Sequence, residues 1–289
     1  MSSLRRIALA AALLCTTPAF AAGPPPLTDE QKAQAMDFAM HDATFTLFHE
    51  SGHLLIHELG LPVLGKEEDA ADALGVIEIF KTIKDKDELA NTLNDVADGW
   101  YYSWQKASDD DVSDSVATYD DHSLDIQRAN AIVCMMVGAD PDEFGATAED
   151  YEFDDETIEG CPDTYNEALA SWDKVLEPHL AKAPGPEIRI TYESAGKYQQ
   201  FADELKKRKI LENVAETLST GFALPRPITM TARQCDEANA FYAEDDHSIT
   251  YCYELAKDVY DTGAASLFSD DSASGQPNEP SDDSSDADQ

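Results

Sequence analysis

The sequence HESGH at residues 49–53 is the feature that most limits how this chain can fold. Residues i and i+4 lie on one face of an α-helix, so a helix here brings the imidazoles of His49 and His53 to one metal ion. Glu50 is rotated by about 100° from His49, which places it beside a water molecule at the metal rather than in the ligand pair. This arrangement is typical of zinc hydrolases, and the alternative is two histidines on an ordinary amphipathic helix.

Apolar side chains precede and follow the motif, so we expect its helix to be buried. His57 follows His53 by four residues and lies one helical turn further along the same face. A third imidazole from the same helix would sit too far from the ion, so we interpret His57 as a structural residue.

A catalytic zinc site needs a third protein ligand and an open position. The segment KEEDAAD offers Glu67 and Glu68. We favour Glu68 because Asp72 lies one turn beyond it, where a carboxylate can accept the free N–H of a zinc-bound histidine. Glu67 has Ala71 at that offset, and we interpret it as part of the solvated acidic start of a helix.

The periodicity of apolar residues predicts a mainly helical first part and an α+β second part. Thr28 and Gln31 form a capping-box pattern at the start of the first helix, and Gly60 with Pro62 ends it. The last two strands flank a turn and are expected to form a hairpin. The predicted helices span residues 28–60, 66–83, 89–106, 124–137, 165–180 and 197–220, and the predicted strands span 187–192, 228–231, 240–242 and 249–253.

The chain divides into four predicted parts. Residues 1–21 read as a signal peptide, with an arginine pair, a short apolar run and a small-x-small cleavage signal. Residues 28–183 form the helical metal-binding part, and residues 184–264 form an α+β part whose hairpin packs on the first. Residues 265–289 are acidic, rich in serine and free of Lys and Arg, which predicts a disordered tail.

Removal of the leader takes away one of the five cysteines and leaves four. An even number in an oxidising compartment predicts two disulfides, for which three pairings are possible. We favour the local pairing, Cys134–Cys161 and Cys235–Cys252, in which the second bond staples the hairpin. A zinc site of four cysteines is disfavoured because the sequence has no CxxC spacing.

The formal net charge of -38 argues against a nucleic-acid partner, which needs a basic surface. An anionic membrane surface is disfavoured for the same reason. No stretch after the leader is apolar enough to span a bilayer, so we expect no membrane insertion after signal cleavage. The expected location is therefore outside the cytoplasm, either periplasmic or secreted.

Three segments resemble a bacterial family described as metallopeptidases, domain of unknown function 4344. They are FHESGHLLIHELGLPVLGKEEDAAD, DDHSLDIQRANAIVCMMVGADPDEF and LPRPITMTARQCDEANAFYAEDDHSITYCYEL. The resemblance implies zinc ligands at His49, His53 and Glu68, with Glu50 as the general acid/base. The spacing of Glu68 and Asp72 is also similar to that of gluzincins, which implies a zincin-like fold with a small antiparallel sheet.

The hairpin departs from the gluzincin order, because it follows the metal-binding helix in this chain instead of preceding it. We therefore expect the C-terminal part to supply the sheet that flanks the site, in a permuted order. The edge strand of the hairpin is then a candidate for pairing with an extended substrate backbone.

These residues predict an exported zinc metallopeptidase acting on peptides or proteins. Glu50 would accept a proton from the attacking water and pass it to the leaving amine. The oxyanion needs a further donor, for which His122 is our candidate, and Tyr101, Tyr102 and Tyr119 are alternatives. His122 could instead fix a loop.

Two other functions remain open at this stage. One is a non-catalytic zinc-binding protein that uses the fold to bind a partner, although Glu50 would then be dispensable. The other is a metal-dependent hydrolase acting on amides other than peptides, which the ligands alone do not exclude.

Overall fold

The computed structural model describes residues 26–109, 121–183 and 185–273. Within them the protein is mainly helical, with a small sheet in the C-terminal part, which confirms the predicted α+β class. The described helices are α1 (Asp29–Leu59), α2 (Glu67–Thr82), α3 (Lys86–Asp109), α4 (Asp125–Ala139), α5 (Pro141–Asp150), α6 (Asp155–Leu176), α7 (Gln199–Arg208), α8 (Ile210–Gly221) and α9 (Tyr253–Ala273). The described strands are β1 (Arg189–Tyr192), β2 (Thr229–Arg233), β3 (Ala240–Ala243) and β4 (Ser248–Cys252).

Helix α1 lies at the centre of the molecule and contacts α2, α3, α8, α9 and β3. It begins with the predicted capping box, in which Thr28 Oγ1 accepts the Gln31 amide and Gln31 Oε1 accepts the Thr28 amide. It ends at Gly60, whose φ of 64° is the left-handed conformation that glycine adopts without strain. Because neighbours surround α1, the segment that carries HESGH is buried, as the apolar flanks indicate.

The four strands are arranged in the order β1-β2-β4-β3. Strands β3 and β4 form the predicted antiparallel hairpin, and β3 is an edge of the sheet. The small sheet predicted as antiparallel is mixed, because β2 pairs in parallel with both β1 and β4. The parallel pairing of β1 and β2 is possible because α7 and α8 form the long crossover that parallel neighbours need.

Several element boundaries differ from those predicted. Helix α5 was not predicted. Helix α6 begins at Asp155 instead of residue 165, and Asp154 Oδ1 caps it by accepting a hydrogen bond from the Thr157 N–H. The predicted helix over 197–220 is divided into α7 and α8 at Lys209, whose φ is 55°. Helix α9 was also missed, and it extends to Ala273, nine residues into the segment 265–289 predicted as a tail.

Both favoured cysteine pairs are at bonding distance. Cys134–Cys161 connects α4 to α6, and Cys235–Cys252 connects the segment after β2 to the end of β4. The local pairing is therefore confirmed, and the second bond staples the hairpin.

Some predictions concern parts of the chain outside the described residues. They are the signal peptide over 1–21, Tyr119, and the tail beyond Ala273. Among the helices that the structure does describe, none combines the length and the apolar character needed to cross a membrane.

Candidate metal centre

The candidate centre lies where α1 and α2 approach each other closely. A Cβ atom at Gly52 would lie only 2.9 Å from Ala71 Cα, a distance that real Cβ contacts essentially never show. Glycine inside HESGH therefore permits the contact, together with the small Ala71 on the opposite helix. The close packing brings the first turn of α2 against the two histidines of α1.

His49, His53 and Glu68 point at one another across this contact. The two Nε2 atoms are 3.1 Å apart, and Glu68 Oε2 lies 3.2 Å from that of His49 and 3.3 Å from that of His53. Among the described residues, these three form the group whose potential ligand atoms all lie within 4.8 Å of one another. The structure thus brings together the three residues predicted as ligands, and Glu67 lies outside this group.

The geometry and chemistry of these donors fit a zinc ion. Ligands at about 2.0–2.1 Å in a tetrahedron stand about 3.3 Å apart, which is close to the three separations above. Glu68 Oε2 is buried and has no hydrogen-bond partner among the described residues, despite its closeness to the imidazoles. Burying such an oxygen without a partner costs free energy of folding. A cation bound between the oxygen and the two Nε2 atoms would remove this cost.

The Nδ1 atom of each histidine, on the opposite side of the ring from Nε2, contacts a carboxylate of α2. His49 Nδ1 lies 2.8 Å from Asp72 Oδ1, the contact that the sequence predicted. Glu67 lies in the acidic first turn of α2, as predicted, but it is only partly exposed, and its Oε1 lies 2.6 Å from His53 Nδ1, a contact that was not predicted. A carboxylate at Nδ1 favours the tautomer that carries its proton there, which would leave Nε2 of each ring available to bind a metal ion. His57 Nε2 also contacts Glu67 Oε1, at 3.0 Å, and is outside the ligand group.

Arg128 of α4 supports this arrangement through Asp72. Its Nε and one terminal nitrogen donate to the two Asp72 oxygens at 2.8 and 2.6 Å. Its guanidinium also stacks on the Trp100 ring, with 3.6 Å from Cζ to the ring centroid. The pair is buried, so Arg128 balances the charge of Asp72 where water does not.

The protein groups shift one another's pKa values strongly. Burial lowers the pKa of His49, but the Asp72 and Glu68 carboxylates beside its ring outweigh this effect and raise the pKa to about 9. Burial raises the pKa of Glu68, and contacts with His49 and His53 outweigh it, so that the pKa is well below its usual value. The site thus favours positive charge between the donors.

Glu50 lies beside the ligand group without entering it. Its carboxylate is buried, and Oε2 accepts a hydrogen bond from the backbone N–H of Tyr242 at 2.8 Å. Burial is the main cause of the raised pKa of Glu50. The sequence did not identify Tyr242, because only the tertiary fold brings edge strand β3 against α1.

A second set of contacts holds β3 in this position. Glu58, at the end of α1, accepts a hydrogen bond from Tyr242 Oη at 2.8 Å. His247 Nδ1 lies 2.7 Å from Glu58 Oε1, and Arg226 Nε lies 3.0 Å from Glu58 Oε2. The hairpin therefore lies against the motif helix, as the permuted order requires.

His122 reaches the site from the segment before α4. Its Nε2 lies 3.1 Å from Glu68 Oε2, its side chain is half exposed, and its carbonyl accepts a hydrogen bond from Lys66 Nζ at 2.8 Å. His122 also lines a cavity shared with His49 and Glu50, whereas Tyr101 and Tyr102 do not line it.

Comparison with known proteins identifies the family of the chain. No curated protein and no solved structure matches it. The model of the family DUF4344, described as "Putative metallopeptidase", matches residues 25–176 and 192–282. The unmatched stretch between these ranges includes the connection between α6 and β1. Since the two ranges cover most of the protein, this chain belongs to the DUF4344 family.

Proposed function

We propose that the protein is an exported zinc metallopeptidase with His49, His53 and Glu68 as metal ligands. The proposal depends on one observation. The Nε2 atoms of His49 and His53 and the Oε2 atom of Glu68, which has no hydrogen-bond partner among the described residues, lie 3.1–3.3 Å from one another, next to the buried Glu50. A bound zinc ion supplies a Lewis acid and makes water nucleophilic near neutral pH. The two disulfides are in keeping with an oxidising compartment.

The residues of the chain then have distinct roles in peptide hydrolysis. Glu50 accepts the proton of the attacking water and delivers it to the leaving amine, and its raised pKa makes it a better acceptor in the first transfer. Asp72 and Glu67 hold the ligand histidines in the required tautomer. The imidazole of His122 is the donor assigned to the developing oxyanion.

Edge strand β3 offers a backbone surface for an extended peptide. In an antiparallel pair, successive residues of a strand point their N–H groups alternately toward and away from the neighbouring strand. Just before β3 begins, the Cys252 N–H donates a hydrogen bond to Asn239 O, so Asn239 is a residue that pairs with β4. The Tyr242 amide consequently faces away from β4 and toward Glu50. A peptide that aligns with this edge would pass directly beside the proposed general base.

Metal analysis and a conservative variant of the base test this function. We expect one zinc per chain in the purified protein, lost in His49→Ala and Glu68→Ala. His179→Ala is the matched control, since His179 lies in a short turn after α6 and is outside the ligand group. The Glu50→Gln variant should keep its zinc and lose casein hydrolysis by at least about 100-fold.

The same experiment separates the other two functions. Equal behaviour of wild type and Glu50→Gln toward casein and zinc would favour a non-catalytic zinc-binding protein. Hydrolysis of small amides without hydrolysis of a peptide library would favour a hydrolase of non-peptide amides.

A further inference from the structure

A cavity of about 250 Å³ opens beside the proposed general base. His49 and Glu50 form part of its wall, and the remainder comes mainly from α1, α3, α9 and the approach to β3. The volume is below the roughly 300–1,000 Å³ of pockets for drug-sized ligands, and it suits a single side chain. Part of the wall is apolar and is formed by Phe38, Phe45, Trp100, Leu255 and Val259.

Two carboxyl groups line the cavity in addition to Glu50. Asp42 lies on α1, two turns before His49, and Asp258 lies on α9. Arg128 also lines the cavity, but both oxygens of Asp72 already bind its guanidinium. Asp72 therefore offsets most of its charge, and Asp42 and Asp258 remain the carboxylates that can receive a cation in the cavity.

Asp42 is poorly satisfied by the protein. The hydrogen-bond donor that the described residues supply to it is Thr46 Oγ1, at the long distance of 3.4 Å. The nearby hydroxyl of Tyr251 is fully buried and has no hydrogen-bond partner among the described residues. Burial raises the pKa of Asp42 to about 7, and the Asp258 carboxylate acts in the same direction. A carboxyl group in this state gains most from a cation that enters the cavity.

We propose that this cavity is the subsite for a basic side chain of the peptide substrate, with Asp42 and Asp258 selecting its positive charge. The apolar wall packs against the methylene stem of a lysine or arginine, and the carboxylates receive its charged end. The proposal rests on the proposed peptidase function, and it adds the class of side chain that the enzyme prefers next to the cleaved bond.

The test compares two peptides that differ only at one residue, lysine or norleucine, next to a bond that the wild type cleaves. Norleucine has a comparable stem and no ammonium group. Binding to zinc-loaded Glu50→Gln is measured by calorimetry, and kcat/KM is measured with wild type. We expect at least about a tenfold preference for the lysine peptide in both measurements.

Asp258→Asn and Asp42→Asn should each reduce this preference severalfold. Asp258 is exposed, so its substitution should leave the fold intact even if Asp42→Asn proves unstable. Asp261→Asn is the control on the same helix, because Asp261 pairs with Lys257 and lies outside the cavity wall. A preference retained in this control and lost in Asp258→Asn supports the subsite.

Three results would overturn the inference. They are equal binding of the two peptides, a preference for norleucine, and an equal loss of preference in Asp261→Asn and Asp258→Asn, which would indicate only long-range attraction. Hydrolysis without a preference for lysine would reject the subsite and keep the peptidase. Preferential binding of lysine without hydrolysis by wild type would reject the peptidase and keep the subsite.

Discussion

The backbone N–H of Tyr242 donates a hydrogen bond to Glu50 Oε2 over 2.8 Å, which joins the edge of the sheet to the motif helix. The phenol of the same residue donates to Glu58, two helical turns beyond Glu50 on α1. Tyr242 is therefore fixed to α1 through both its backbone and its side chain. This double attachment orients the carboxylate proposed to transfer protons.

Replacing Tyr242 by proline should remove the amide donor and leave β3 paired. Proline is tolerated on an edge strand where the N–H faces away from the neighbouring strand. Tyr242→Ala is the control, because it also lacks the phenol but keeps the N–H. We expect kcat to be lower by about tenfold in the proline variant than in the alanine variant, with equal zinc content. Equal kcat values would show that the hydrogen bond does not orient the base.

A methyl group at Gly52 should force α1 and α2 apart. The new Cβ would meet Ala71 Cα at 2.9 Å, and overpacking of this kind costs about 1–3 kcal/mol. We expect Gly52→Ala to lower both the free energy of unfolding in urea and the affinity for zinc.

Gly145→Ala is a control with the opposite expected sign. Gly145 lies inside α5, and nothing stands within 4 Å of an added Cβ. Alanine there should stabilise the protein by up to about 1 kcal/mol, because glycine is a poor helix former. Stabilisation of both variants would contradict the role given to the contact between α1 and α2.

Removing the charge of Asp72 should weaken zinc binding without removing a ligand. Asp72 orients His49 and neutralises the buried Arg128. We expect Asp72→Asn to lower zinc affinity by about 10–100-fold, as measured by competition with a chelator. Asp69→Asn on the same helix is the control, since Asp69 is exposed and contacts Ser123 Oγ. A similar loss in both variants would indicate a general charge effect.

Asp42 should make the protein less stable as the pH rises. The pKa of Asp42 is about 7 in the folded protein and 3.8 for an ordinary aspartate, so the folded state binds more protons between these pH values. The free energy of unfolding contributed by Asp42 is present below about pH 4 and is lost as the pH rises through 7. We therefore expect the stability of Asp42→Asn relative to wild type to rise by about 2–3 kcal/mol between about pH 5 and 8.

Urea unfolding of both proteins after treatment with a chelator measures this difference. Groups that titrate equally in the two proteins cancel from it, including the histidines of α1. A relative stability that does not change with pH would show that Asp42 is ionised throughout.

Local chemistry allowed much of the fold and site to be predicted. The capping box at Thr28, the stop at Gly60 and the shared face of His49 and His53 depend only on residues within a few positions of each other. The choice of Glu68 over Glu67 as ligand also rested on a local offset, the position of Asp72 one turn further on. The cysteine pairing followed from short separations of 27 and 17 residues.

The tertiary structure decided everything that depends on the register between separate elements. Glu67 supports His53 only because Gly52 and Ala71 let α1 and α2 pack so closely. Tyr242 reaches Glu50 across 192 residues of chain because β3 is the exposed edge of a mixed sheet. The sequence by itself determined which side chains can bind a metal, since that is set by residue type and helical period. Packing between distant elements determined which groups orient these side chains and which residues surround them. Such contacts leave no local pattern in the sequence.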